Sequence, residues 1–215
     1  MARPRVLLTG FGPFPGVSEN PSGWLAETLA GTQSHAWDLH SAVLPTEWKA
    51  VAALAPRLHA ELQPHVMIHF GVSARSTGLQ IERVAHNDAE PRADARGAKP
   101  DCRTIAADGV ARLETRLPVN ALAAHLRAQG HAARASQSCG RYLCNFLYYQ
   151  SLAWAHREGG DALFVHVPLT QSQGGALHQD ALLHAGEDTL RFVLEATQTA
   201  RASAVHTGQA AEAQA

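Results

Sequence analysis

The chain has 215 residues, 46% apolar, 17% charged and 6% aromatic, an ordinary globular composition long enough to bury one sizeable core. Lys and Arg total 18 against 19 Asp and Glu, and the net charge of −1 has no block of like charge behind it, which argues against a nucleic-acid partner. Three cysteines, Cys102, Cys139 and Cys144, are an odd number for a chain of this size, so no disulfide framework organises the fold and a reducing, cytoplasmic setting is expected.

The apolar run Val6-Leu7-Leu8 is too short for a signal-peptide core. No stretch approaches the ~18 apolar residues of a membrane span, so no membrane partner is expected. Residues 5–10 read as a buried strand stopped by Gly10, and a Gly/Pro-rich loop follows to Asn20. Asn20-Pro21 is a helix start, with Asn as cap and Pro at the first helical position, and Gly31 ends that helix. Residues 36–44 form a second strand. Pro45-Thr46 opens a helix carrying Val51, Leu54, Leu58 and Leu62 on one face, and Pro64 closes it. Residues 66–71 complete a βαβαβ beginning.

Periodicity is poor over residues 72–115, with only 79–84 strand-like, and long irregular segments of this kind are often functional. A helix then runs from Leu117-Pro118-Val119 to Gly130, a strand over 132–137, a strongly apolar helix over 144–156, a strand over 162–167 and a helix over 176–196. Residues 197–215, rich in Ala, Gln and Thr, have no large apolar face and read as a frayed tail. The expected fold is α/β: a single-domain three-layer sandwich over residues 1–196, with a mostly parallel twisted sheet and helices on both faces.

The glycine loop between Gly10 and Gly16 is a poor dinucleotide site, because its third glycine comes one place late for G-x-G-x-x-G and Pro13 and Pro15 remove backbone donors. Phe11 and Phe14 in that loop either pack over the sheet or line a ligand site at the strand ends. Histidine is abundant, at 13, yet no zinc-binding spacing is present, and His59, His125 and His184 fall on polar helix faces where a solvated role is expected. Cys102 is a lone loop cysteine. Cys144 stands near the start of the most apolar helix, where the positive end of the helix dipole favours a thiolate, although a buried apolar thiol would also fit there. His166 interrupts a buried strand beside Pro168, and Glu82 interrupts the apolar fragment before the irregular segment. Together they are the parts of a cysteine hydrolase: nucleophile, imidazole acid/base and orienting carboxylate.

Four blocks then occur in order: Thr9-Gly-Phe-Gly-Pro-Phe14 with Asn20-Pro-Ser22; Glu82-Arg-Val-Ala-His-Asn87; Gly140-Arg-Tyr-Leu-Cys-Asn145 with Tyr148-Tyr149; and Phe164-Val-His-Val-Pro168. In this order they resemble the pyroglutamyl peptidase I, or pyrrolidone carboxyl peptidase, family over most of the chain. The resemblance implies Cys144 as nucleophile, His166 as general base and then acid, and Glu82 as the residue orienting His166. It also implies removal of an N-terminal pyroglutamyl residue from peptides, with no metal and no cofactor. By the same resemblance Phe11, Phe14 and Tyr142 line the pocket for the lactam ring, and Asn20 braces the loop. A small uncharged ring asks for apolar walls and a few oriented polar groups, which agrees. Members of the family are often oligomeric, so a homo-oligomer is compatible with it.

The chain departs from the commonest bacterial pattern at Gly71-Val-Ser-Ala-Arg75, where a glycine-rich segment is usual, and the family arginine aligns with Arg92 only across a one-residue gap. Cys139 stands where the family usually has alanine, and its closeness to Cys144 suggests a reversible disulfide. Two other classes compete: a catalytically weak homologue that binds lactams or peptides, and an enzyme like the nucleoside phosphorylases, which share the architecture. The complete Glu82, Cys144 and His166 set speaks against the first, and the lack of a phosphate cradle against the second.

Overall fold

A computed structural model describes residues 3–32 and 34–212, with side chains described as far as residue 203. Its first half repeats one unit: β1 (Arg5–Phe11), α1 (Pro21–Ala30), β2 (Asp38–Leu44), α2 (Trp48–Leu62) and β3 (Val66–Val72). Then follow β4 (Leu79–Glu82), β5 (Val84–His86), β6 (Arg112–Glu114), α3 (Val119–Ala128), β7 (Ala133–Ser136), α4 (Leu143–Glu158), β8 (Asp161–Val167) and α5 (Gln179–Glu212). The main sheet has six strands in the order β2-β1-β3-β8-β4-β7, and its one antiparallel pairing is β4 with β8.

Alternation along the strands sends side chains to two cores. Val6 and Leu8 of β1, Ile68 of β3 and Val165 of β8 pack with α1, α3 and α5, whereas Leu7, Met67 and Phe164 pack with α2 and α4. Strands covered on both faces need apolar residues at nearly every position, which is why β1, β3 and β8 read as continuous runs in the sequence. The three-layer, mostly parallel fold is as expected.

The start of α1 holds the loop after β1 in place. Asn20 caps the helix by accepting from the Ser22 N–H at 3.1 Å, and its amide donates to the Gly12 carbonyl at 2.9 Å. The Ser22 hydroxyl in turn accepts from the Phe11 N–H at 3.0 Å. β1 and α1 approach so closely that a Cβ on Gly10 would lie 2.1 Å from the Ser22 carbonyl oxygen, so only glycine fits.

Several boundaries differ from the sequence reading. α2 begins at Trp48, after Thr46 has turned its hydroxyl to the Gly12 carbonyl. The segment over 79–84 breaks at Arg83, because the chain leaves the main sheet there and pairs β5 with β6 in a separate two-stranded ribbon. That ribbon lies in the stretch whose periodicity is poor. The last helix does not stop at Ala196: α5 continues to Glu212, and Thr197 is buried with its hydroxyl on Asp161. Alanine-rich sequence has high helix propensity without an apolar face, so the helix continues where no apolar stripe remains. His59 is not solvated; it is 3% exposed and its Nε2 lies 3.1 Å from the Ser151 hydroxyl on α4.

Candidate active site

The C-terminal ends of β3 and β8 and the end of β4 meet at one place. Gly71 of β3 is in register with His166 of β8, and Glu82 of β4 is in register with Phe164. This pairing brings the Glu82 carboxylate and the His166 ring together from positions 84 apart in the chain: Oε1 lies 2.8 Å from Nδ1. Glu82 is only 1% exposed and His166 12%, so little water screens the pair.

Cys144 enters as the second residue of α4 and borders the same cleft as His166, near enough for its charge to act on the ring. The strand beside it makes room: a Cβ on Gly71 would stand 3.0 Å from the Cys144 sulfur and 2.7 Å from Cζ of Phe164. Burial alone would lower the His166 pKa. The charge of the Cys144 thiolate, the hydrogen bond to it and the Glu82 carboxylate outweigh that cost, and the pKa is raised to about 10. At neutral pH the ring is therefore an imidazolium.

These three residues open onto a cleft of about 720 Å³ that is also lined by Phe11, Phe14, Asn20 and Tyr142, so every site residue picked from the sequence borders one cavity. Among the described residues no cluster of three His, Cys, Asp or Glu could hold a metal ion. No described helix is long and apolar enough to cross a membrane.

The description "Pyroglutamyl peptidase" belongs to the family model that matches residues 4–191. The pyrrolidone-carboxylate peptidase of Chromobacterium violaceum is 35% identical over 188 residues, covering 87% of this chain and 85% of its own. Human pyroglutamyl-peptidase 1 is 34% identical over 176 residues, 78% of this chain and 81% of its own. The chain belongs to the pyroglutamyl peptidase family. The solved pyrrolidone carboxyl peptidase of Thermococcus litoralis superposes with a TM-score of 0.86 at 29% identity, covering 91% of this chain and 96% of that one.

The cleft of this pyroglutamyl peptidase family member has a braced wall that the sequence did not disclose. Tyr142 donates its hydroxyl to the Ala93 carbonyl at 3.1 Å, its ring meets Trp48 edge-on at 5.2 Å, and the Arg92 guanidinium lies over it at 4.8 Å. Trp48 in turn donates its indole N–H to the Arg92 carbonyl at 2.9 Å. The keystone is Asp94, 7% exposed, whose carboxylate accepts the backbone N–H groups of Trp48, Arg96 and Ala98, each at 2.9 Å. Burial would raise the Asp94 pKa, but those three bonds win and hold it below the usual range.

Asp94 thereby caps α2 from a distant loop, because Glu47 at the cap position offers no side-chain bond. Nothing local in the sequence signals such a long-range cap. The only hint was that residues 72–115 are long and irregular yet part of a compact domain. Asn20 borders the cleft, but both its polar ends are engaged within the protein, so it braces the loop that carries Phe11 and Phe14. Cys139 and Cys144 are free thiols bordering the same cleft. Burial, and then the negative charges of Cys144 and Glu82, push the Cys139 thiol well above its ordinary range. A buried protonated thiol is a poor attacking group, which disfavours a reversible disulfide in this conformation.

Proposed function

We propose that this chain is a cysteine exopeptidase that removes the N-terminal pyroglutamyl residue from peptides, with Cys144, His166 and Glu82 as its catalytic groups. The observation that carries the reading is the buried Glu82–His166 hydrogen bond with Cys144 bordering the same cleft. His166, as general base, takes the thiol proton of Cys144. The thiolate attacks the pyroglutamyl carbonyl, and the first-turn N–H groups of α4, which have no carbonyl partner inside the helix, face the developing oxyanion. His166 gives its proton to the leaving amine as the C–N bond breaks, leaving a thioester on Cys144. It then takes a proton from water, hydroxide displaces the sulfur, and pyroglutamate leaves with the thiolate–imidazolium pair restored.

Phe11, Phe14 and Tyr142 supply apolar walls suited to an uncharged lactam, with Asn20 holding the loop in shape. The three free thiols fit a reducing cytoplasmic setting. A binder without turnover would gain nothing from a charged imidazole beside a thiol. The test is fluorophore release from a pyroglutamyl amide and from the prolyl and glutamyl amides of the same fluorophore. Release from the first alone is expected; no release from it by the folded protein overturns the reading.

A further inference from the structure

The Glu82 carboxylate is held in an unusual way. Oε1 meets His166, but the buried Oε2 has no hydrogen-bond partner. No second side chain therefore fixes the plane of the carboxylate, and its aim depends on the backbone that carries it. Glu82 is the last residue of β4, in register with Ser136 of β7 on one side and Phe164 of β8 on the other, and the chain leaves the main sheet at Arg83. Beside those strand pairings, Tyr148 of α4 holds this end from the helix layer: its hydroxyl donates to the Glu82 carbonyl at 2.9 Å.

Tyr148 is itself immobilised: it is 0% exposed, and its ring lies 5.9 Å from that of Phe164, which is likewise 0% exposed. The Phe164 ring then lies 4.9 Å from the His166 ring. A single buried tyrosine thus touches the main chain of the carboxylate through its oxygen and, through one intervening ring, the imidazole. Burial pushes its phenol well above the ordinary range, so the hydroxyl keeps its proton and remains a donor.

We infer that Tyr148 is a positioning residue for the Glu82–His166 pair, acting on the reaction only through Glu82. The inference rests on the catalytic roles proposed above. A tyrosine that merely fills the core would make the same contribution whether or not residue 82 is a carboxylate. One that acts through Glu82 would lose its effect when that carboxylate is gone.

The decisive experiment is a double-mutant cycle with Tyr148→Phe and Glu82→Gln on pyroglutamyl amide hydrolysis, with the full pH profile of each variant. In the unmutated background Y148F, which removes one hydroxyl, is expected to lower kcat roughly 10-fold with KM unchanged, the size of one hydrogen bond made good in the reacting state. The alkaline limb of its profile should also move to lower pH. In the E82Q background Y148F should change kcat less than about 2-fold. An equal loss in both backgrounds, or no loss in the first, overturns the inference. If Y148F does not fold, 3-fluorotyrosine placed at position 148 keeps a ring of nearly the same size and its hydroxyl, which the ring fluorine makes more acidic. Its effect on kcat must then also be present with Glu82 and absent in the E82Q background, and equal effects overturn the inference. Lack of hydrolysis by the unmutated protein sinks the proposed activity instead, so the two failures are distinguishable.

Discussion

Two histidines on neighbouring strands of one sheet end up in opposite states. His69 of β3 is 0% exposed and pairs with a neutral partner, the Thr9 hydroxyl at 2.7 Å from Nδ1, while its Nε2 has none. Burial, with a smaller push from His59, lowers its pKa to about 3. His166 sits on the adjacent β8, also mostly buried, yet it is raised to about 10 by Cys144 and Glu82. Burial is common to both, so burial does not decide the chemistry. The charges at the strand ends do, and they are present only where β4 and the start of α4 come together over the sheet.

The most severe way to break this contrast is to remove a charged partner outright. Cys144→Ser and His166→Ala should each lower kcat/KM by at least ~10³-fold in the pyroglutamyl amide assay. Glu82→Gln should cost less, roughly 10²-fold, because the ring and thiol remain. Without the carboxylate His166 loses two of the contributions that raise its pKa, so the alkaline limb of the rate profile should move down from about pH 10. Gly71→Ala attacks the geometry instead of the charge. Its Cβ would press on Phe164 and on the Cys144 sulfur, with an expected loss of about 1–3 kcal/mol in denaturant unfolding and a lower kcat.

Stability against pH reads the same contrast without any substitution. His69, with its pKa lowered to about 3, and His59, lowered to about 4, are neutral in the fold. Their contribution is complete above the unfolded value of 6.5 and is lost as the pH falls toward about 4 and then about 3, at up to ~1.4 kcal/mol per pH unit for each. His166 has the opposite sign. Its share is complete below 6.5 and is lost as the pH rises through about 10. Unfolding curves between pH 4 and 10 measure both limbs.

The same contrast explains what could be read in the sequence. The buried strands and their helices were legible because parallel strands covered on both faces leave long apolar runs, and His166 and Glu82 stood out by interrupting such runs. His69 interrupts one equally well, and apart from Pro168 and the family-like block around His166 nothing in the sequence separates the two. The separation comes from sheet order, which sets His166 beside β4 and His69 beside Thr9 of β1. For His59, periodicity gives the face of the helix but not what packs against that face. The Asp94 cap and the Tyr148 bond join positions 46 and 66 apart, beyond any local pattern. The run past Ala196 lacks an apolar stripe, and propensity alone keeps the helix going there.

One measurement tests the contrast most directly: an NMR titration of the protein labelled with nitrogen-15 in its histidine rings, from pH 5 to 10. His166 is expected to be still an imidazolium at pH 8 while His69 is already neutral at pH 5, both in the same folded molecule. Titration of His166 near 6.5, with the protein folded and active, would contradict it.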